Sequence, residues 1–166
     1  HQRLGDSHAQ RLDLLEALRT AVADDELTVA YQHITDVTTG QVTGVEALAR
    51  WTRNGELVPP DSFIRLAEDS GLIVPLGEWV LRQACADARN WPATLKVAVN
   101  LSPIQFRNRN LVSVVINALA TARLPATRLE LEITEATLMH NAESAVSTLQ
   151  QLRALGARIA MDDFGT

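Results

Sequence analysis

The chain has 166 residues, of which 46% are hydrophobic, 21% charged and 4% aromatic, and its formal net charge is -5. These values predict a globular domain that can bury a sizeable core, and they exclude disordered and collagen-like chains. They also argue against a protein that binds long nucleic acid through its phosphates, although a small phosphorylated ligand is compatible with the charge.

Helices and strands can be predicted in order along the first half of the chain. Residues 7–26 carry leucine and valine at helical spacing, which predicts an amphipathic helix with Ser7 as a candidate N-cap. Two strands over residues 27–37 and 42–50, joined by a turn at 38–41, predict an antiparallel hairpin. The Asn-Gly and Pro-Pro pairs within residues 52–60 indicate a loop. Helices are predicted over residues 62–69 and 76–89, separated by Gly71.

The second half alternates between strands and helices. Residues 95–101 predict a buried strand, and Ser102 followed by Pro103 suits the start of a helix. Further helices are predicted over 111–122 and over 142–155, the latter ending at Gly156, with strands over 128–134 and 157–162. This alternation implies βαβ units with parallel pairing and right-handed crossovers.

Oxygen-bearing side chains fall at or near the ends of four successive predicted strands. They are Glu46, Asn100, Glu132 and the pair Asp162 and Asp163. In a (β/α) barrel the carboxyl ends of the strands form the rim of the active site, so these side chains would converge there. Crowded carboxylates resist ionisation without a counter-charge, and a cation held by carboxylate and amide oxygens alone would be Mg²⁺ or Mn²⁺. Any one of these residues taken singly is also compatible with a cap or a solvated strand end.

The single cysteine, Cys85, excludes an intrachain disulfide and a thiolate zinc site, and its expected role is helix packing. A lone cysteine favours a reducing, cytoplasmic location. The longest apolar-leaning stretch, residues 111–122, is too short to cross a bilayer, and no signal peptide opens the sequence. Because the first residue is His1 rather than Met, we expect a processed product or a part of something longer, whose other segments could anchor it to a membrane.

The residues around the oxygen ligands resemble the EAL-domain phosphodiesterases in six ordered blocks. Glu46, Ala47 and Leu48, with Arg50 two residues on, are similar to the signature that names the family. The other blocks are residues 31–34 with the turn at 39–40, residues 63–73, 100–106, 132–135 and 162–166. Together they cover nearly the whole chain, which makes the resemblance specific.

The resemblance implies an α/β fold, a modified TIM (β/α) barrel with an antiparallel first strand. Residues 27–166 would form the N-terminal portion of that barrel, with about five strands. Residues 1–26 would be a connecting helix, which in the parent protein could follow a GGDEF-type domain. The implied activity is hydrolysis of the bacterial second messenger cyclic di-GMP to linear pGpG with Mg²⁺ or Mn²⁺.

The resemblance also implies roles for the matched residues at the predicted rim. Glu46, Asn100, Glu132 and Asp162 are similar to direct metal ligands, and Asp163 to the aspartate that completes a site for two ions. In such a site Glu46, Asp162 and Asp163 belong to the catalytic centre, where two cations activate a water for in-line attack on phosphorus.

Other matched residues are implied to bind substrate or to support a loop. Gln32 and Arg50 resemble substrate contacts, and the planar guanidinium of Arg50 suits a phosphate oxygen or a guanine edge. Thr134 and Glu135 resemble the pair that steadies the loop after the aspartates. His33 departs from the family pattern, which has proline there, and it could loosen the first strand or stand near the ligand.

In the family, residues beyond the Asp-Asp motif supply a lysine that helps to orient the attacking water, another metal-binding glutamate, a guanine-contacting glutamine and the remaining strands. We therefore expect this chain to be an EAL-domain fragment truncated after residues 162–166, inactive alone, from a parent that is a cyclic di-GMP phosphodiesterase. A degenerate EAL module that regulates by binding nucleotide or a protein partner is the alternative, and an unrelated metal-dependent barrel enzyme is a third reading. The resemblance also allows a homodimer.

Overall fold

The computed structural model describes residues 2–139 and 141–162, which contain six strands and seven helices. The strands are β1 (Thr28–Thr35), β2 (Val42–Arg53), β3 (Glu56–Val58), β4 (Lys96–Asn100), β5 (Leu129–Ile133) and β6 (Arg158–Met161). The helices are α1 (Gln2–Ala23), α2 (Pro60–Ser70), α3 (Ile73–Ala88), α4 (Pro103–Arg107), α5 (Leu111–Ala122), α6 (Glu135–Met139) and α7 (Ala142–Leu155), and a 3-10 turn spans Ala126–Arg128.

The strands form one mixed sheet in the order β1-β2-β4-β5-β6, with β3 paired to β2 off that path. The first two strands are antiparallel, whereas β2, β4, β5 and β6 run parallel. Each parallel crossover contains two helices. Within the described residues the sheet does not close, so the architecture is a partial barrel with an antiparallel first strand, as the sequence predicts.

Alternation along the strands gives the sheet one apolar and one polar face. In β5, Leu129, Leu131 and Ile133 are buried, while the intervening Glu130 and Glu132 keep partial exposure. Val97 and Val99 of β4 are also buried. These residues belong to one continuous core that includes apolar residues of α2, α3, α5 and α7. The opposite face of the sheet is left for polar side chains.

The first helix differs from its predicted start, because it begins at Gln2 and Ser7 lies inside it rather than capping it. The expected apolar stripe is also shorter, since Leu12 is 50% exposed whereas Leu18 and Ala21 are fully buried. The helix therefore packs on the body through its C-terminal half. Its N-terminal half is held by an exposed ion pair from Arg11 to Asp69 of α2.

Residues 52–60 were predicted to be a loop, and that prediction was wrong. The second strand continues to Arg53 and turns back through Asn54 and Gly55 into β3. Both turn residues have positive φ, 53° and 81°. Asn-Gly is the sequence most favoured for such a two-residue hairpin, so the local signal was a turn between paired strands rather than a loop. The short helix α6 was also not predicted.

Cys85 packs in the core side of α3, as predicted, and is fully buried. Burial raises the pKa of its thiol to about 12. Among the described helices, none combines the length and the apolar character that a membrane crossing requires.

Candidate active site

The strand register brings the predicted oxygen ligands to one face of the sheet. Glu46 pairs beside Ala98, Asn100 beside Glu132, and Glu132 beside Ala160. Neighbours across a sheet, and residues two apart along a strand, point to the same side. Glu46, Asn100 and Glu132 therefore share the face opposite the apolar core. Asp162 continues that alternation just past β6.

Glu46 lies in the interior of β2, which extends to Arg53 and so beyond the predicted end at Arg50. Its parallel pairing with β4 nevertheless ends one residue later, where Ala47 meets Val99. Beyond that point β2 pairs with β3 instead. Glu46 thus stands at the carboxyl end of the parallel segment, which is the position that the barrel rim requires.

Hydrogen bonds join the ends of neighbouring strands at this rim. The Asn100 side chain donates from Nδ2 to Oε1 of Glu46 at 2.8 Å. The backbone N–H of Leu101 donates to the carbonyl of Glu132 at 2.9 Å, and the N–H of Asp162 donates to the carbonyl of Ile133 at 2.8 Å. The ladder therefore continues past the last strand residues and holds the rim together.

Glu132 has a raised pKa of about 7. Partial burial is the largest cause, followed by the negative charges of Glu46, Asp162 and Glu130 and by a hydrogen bond with Glu46. Burial and like charges both disfavour the ionised form of a carboxyl group. The repulsion predicted for crowded carboxylates is thus confirmed at Glu132, and a bound cation would relieve it.

The donor chemistry at this rim fits a hard divalent cation. Carboxylate and amide oxygens are the ligands that Mg²⁺ and Mn²⁺ prefer, and Glu46, Asn100, Glu132 and Asp162 could supply them. Within residues 2–139 and 141–162, however, no three His, Cys, Asp or Glu side chains already form a group that could hold a metal ion. The donors are gathered on one rim without being preformed around an ion.

A cleft of about 450 Å³ opens beside the rim. Asn100, Glu132 and Asp162 line it, together with Arg50 and Thr134. Its other wall comes from helices, and includes Asp61, Ile64 and Glu68 of α2, Leu76, Gly77 and Val80 of α3, and Gln105 of α4.

The helical wall of the cleft was missed by sequence reasoning. The available signal was weak, since Glu68 and Gln105 occurred within blocks that resemble the family but carried no assigned role. Burial raises the pKa of Glu68, and the neighbouring Asp69 carboxylate adds to the rise. The cleft wall therefore carries a second carboxyl group that resists ionisation.

The structure places both predicted substrate residues on the rim face. Gln32 lies directly opposite Glu46 in the hairpin and is exposed. Arg50 is four residues beyond Glu46 on the same face of β2, and its Nη1 donates to the carbonyl of Ala49 at 3.1 Å. His33 alternates to the other face of β1, opposite Val45, and the register of the hairpin shifts just after it, between Ile34 and Thr35. Its side chain therefore lies on the face of the strand opposite to Glu46.

The predicted loop-supporting residues follow β5. Thr134 lines the cleft, and its hydroxyl is 3.1 Å from that of Thr137. Glu135 begins α6 and is exposed. Asp163 lies outside the described residues, as does the segment 163–166 that Thr134 and Glu135 were predicted to steady. These roles stay predictions.

Comparison with known proteins decides the family. The sequence model of the EAL domain matches residues 15–166. The chain belongs to the EAL domain family. The uncharacterized protein y4lL of Sinorhizobium fredii is 53% identical over 152 residues, which cover 90% of this chain and 18% of that protein. MucR of Pseudomonas aeruginosa, a bifunctional diguanylate cyclase/cyclic di-GMP phosphodiesterase, is 43% identical over 162 residues, covering 95% and 24% respectively.

Solved EAL structures support the same assignment. The PaMucR phosphodiesterase in its c-di-GMP complex superimposes with a TM-score of 0.87 at 43% sequence identity, covering 93% of this chain and 64% of that chain. This EAL-domain chain spans about a fifth of the length of the two curated relatives. The close superposition confirms that the open sheet has the partial-barrel architecture of an EAL domain.

Proposed function

We propose that this EAL domain carries the metal-binding rim of a cyclic di-GMP phosphodiesterase that forms linear pGpG. The observation that carries the proposal is the common rim of Glu46, Asn100, Glu132 and Asp162, where Asn100 bonds Glu46 and where burial together with the neighbouring carboxylates raises the pKa of Glu132. The activity named for MucR, which is 43% identical over 95% of this chain, supports the choice of substrate.

The proposed cofactor is Mg²⁺ or Mn²⁺, with two ions at the site. When bound, such ions lower the pKa of a water and offset the charge of the phosphodiester. Glu46, Asn100, Glu132 and Asp162 would hold them, together with Asp163. Binding of the cation would also offset the repulsion at Glu132, because its negative charge would gain a positive partner.

The charge of the cleft makes substrate binding depend on the cation. The described lining carries the carboxylates of Asp61, Glu68, Glu132 and Asp162, against which Arg50 provides a guanidinium. This acidic surface repels a phosphodiester in the absence of metal. Arg50 would bind a phosphate oxygen or a guanine edge through its planar donors, and Gln32 would contact the ligand from the hairpin side.

We expect the 166-residue chain by itself to show no measurable turnover. Within the described residues the sheet is open, with β1 and β6 at its edges, so the rim is only partly enclosed. A reaction at phosphorus depends on positioning and on electrostatic stabilisation in a site from which water is excluded. Efficient conversion of cyclic di-GMP by the isolated chain would contradict this expectation.

The decisive experiment uses the protein expressed from its complete natural reading frame. Purified wild type should convert cyclic di-GMP to pGpG, followed by anion-exchange chromatography, only when Mg²⁺ or Mn²⁺ is present. Glu46→Ala should reduce the rate to background. The matched control is Glu56→Ala, which removes an exposed carboxylate from β3 outside the cleft and should leave the rate unchanged.

Equal rates in wild type and Glu46→Ala would remove the metal assignment. Tight binding of cyclic di-GMP without hydrolysis in the wild type would favour the regulatory module instead of the enzyme.

A further inference from the structure

Gly77 occupies an interior position of α3, where glycine weakens a helix relative to alanine. Glycine is needed at this position because a larger residue would have no room for its side chain. A Cβ built on Gly77 would lie 1.6 Å from Nε2 of Gln105 and 2.3 Å from the carbon of that carboxamide. These distances are far below van der Waals contact, so the Gln105 side chain fills the notch left by the missing Cβ.

Gln105 uses this notch to cap the helix that follows the rim. Its Oε1 accepts from the backbone N–H of Ser102 at 3.0 Å, while Oγ of Ser102 accepts from the N–H of Gln105 at 3.3 Å. This reciprocal pair is a capping box at the start of α4. Gln105 is only 6% exposed, and its carboxamide is held between the backbone N–H of Ser102 and the space above Gly77.

The capped residue lies two positions beyond Asn100. Between them, the N–H of Leu101 donates to the carbonyl of Glu132, so the short connection is held by β5 on one side and by Gln105 on the other. The Asn100 side chain points from this connection to Glu46. A displacement of the cap would therefore shift the amide that faces the candidate metal site.

We propose that Gly77 and Gln105 form a positioning pair for Asn100, in which the glycine notch allows the carboxamide to fix the turn after β4. This inference rests on the proposed function, in which Asn100 is a metal ligand. The pair acts through Asn100 rather than by binding the cation. Residues that orient metal ligands in this way commonly change metal affinity by about tenfold or more when replaced.

The test is a double-mutant cycle in the chain as it stands, with Gly77→Ala, Gln105→Ala and the double variant. Gly5→Ala in α1 is the matched control, because nothing lies within 4 Å of a Cβ at that position. The side-chain amide signal of Asn100 in ¹⁵N NMR spectra, assigned with Asn100→Asp, reports its position without metal. Mn²⁺ affinity is measured separately by calorimetry.

Both single variants should move the Asn100 amide signal and weaken Mn²⁺ binding about tenfold or more. In the Gln105→Ala background, Gly77→Ala should add no further change, because the atoms with which its methyl group collides are gone. The control Gly5→Ala should change neither measurement. If Gly77→Ala alone fails to fold, Gln105→Ala and the double variant still test the proposal, since neither contains the clash.

An unmoved Asn100 signal in Gln105→Ala would overturn the positioning role, even if stability falls. Equal effects of Gly77→Ala in the wild-type and Gln105→Ala backgrounds would show that Gly77 does not act by leaving space for the Gln105 side chain. Absence of Mn²⁺ binding by the wild-type chain would count against the proposed function alone, because the metal-free amide signal decides the positioning role independently.

Discussion

Replacing Glu132 with glutamine removes a carboxylate whose ionisation the fold opposes. Partial burial and the charges of Glu46 and Asp162 raise its pKa from an ordinary value of 4.5 to about 7. A folded-state pKa above the unfolded value means that the native protein binds the proton more tightly. The stability associated with this proton is therefore fully present below pH 4.5 and is lost as pH rises through 7.

The size of the effect follows from the pKa. A rise in pKa from 4.5 to about 7 corresponds to about 3 kcal/mol in the free energy of unfolding if the whole shift acts on stability. Glu132 is only partly buried, so solvent screens its charge and we expect about 1–2 kcal/mol. Glutamine keeps the size and the hydrogen-bonding groups but cannot ionise. In the absence of metal, the free energy of unfolding of Glu132→Gln should thus exceed that of the wild type by this amount at about pH 8. The two values should be equal near pH 4.5.

Urea denaturation in the presence of EDTA, followed by circular dichroism at several pH values, measures this difference. The control is Glu56→Gln, which changes an exposed carboxylate on β3 and should show no pH-dependent difference. Addition of Mn²⁺ should reverse the order, because the wild type gains binding energy that the variant largely lacks. A constant difference across pH, or a wild type that gains relative stability as pH rises, would show that ionisation of Glu132 does not destabilise the fold.

Two further predictions concern groups in the core. The guanidinium of Arg128, 8% exposed, donates to the backbone carbonyls of Ala88, Pro92 and Leu95. Arg128→Ala should lower the free energy of unfolding by about 3 kcal/mol, since three carbonyls lose a charged donor. As a control, replacing the exposed Arg109 with alanine should lower it by under about 0.5 kcal/mol. A loss below about 1 kcal/mol in Arg128→Ala would contradict the stabilising role of the guanidinium. Cys85, with its raised pKa of about 12, should resist Ellman's reagent at about pH 8 in the native protein and react in urea. Rapid labelling before unfolding would show that the thiol is accessible.

Local sequence signals predicted several of the helices well. The helices over residues 111–122 and 142–155 have the predicted bounds, and the second ends at Gly156 in a left-handed conformation. Helical spacing of apolar residues and a C-terminal glycine act within a few residues of each other, so they can be read without the fold. Ser7 shows the limit of such reading, because a residue suited to an N-cap can also lie inside a longer helix.

The side chains that share a face of the sheet could be predicted from the sequence alone. Alternation in β5 separates Glu130 and Glu132 from the apolar core, and the order of strands and helices placed Glu46, Asn100 and Glu132 near one rim. Family resemblance then supplied a chemistry for those oxygens. These inferences needed only the repeat of the backbone and the order of the elements.

Tertiary structure alone decided how the rim works as a unit. Asn100 reaches Glu46 across 54 positions of sequence, and the raised pKa of Glu132 depends on its burial and on charges brought in by neighbouring strands. The notch at Gly77 has meaning only because Gln105 packs into it. Such interactions arise from strand register and helix packing, which join distant segments, and no local periodicity encodes the distances between them.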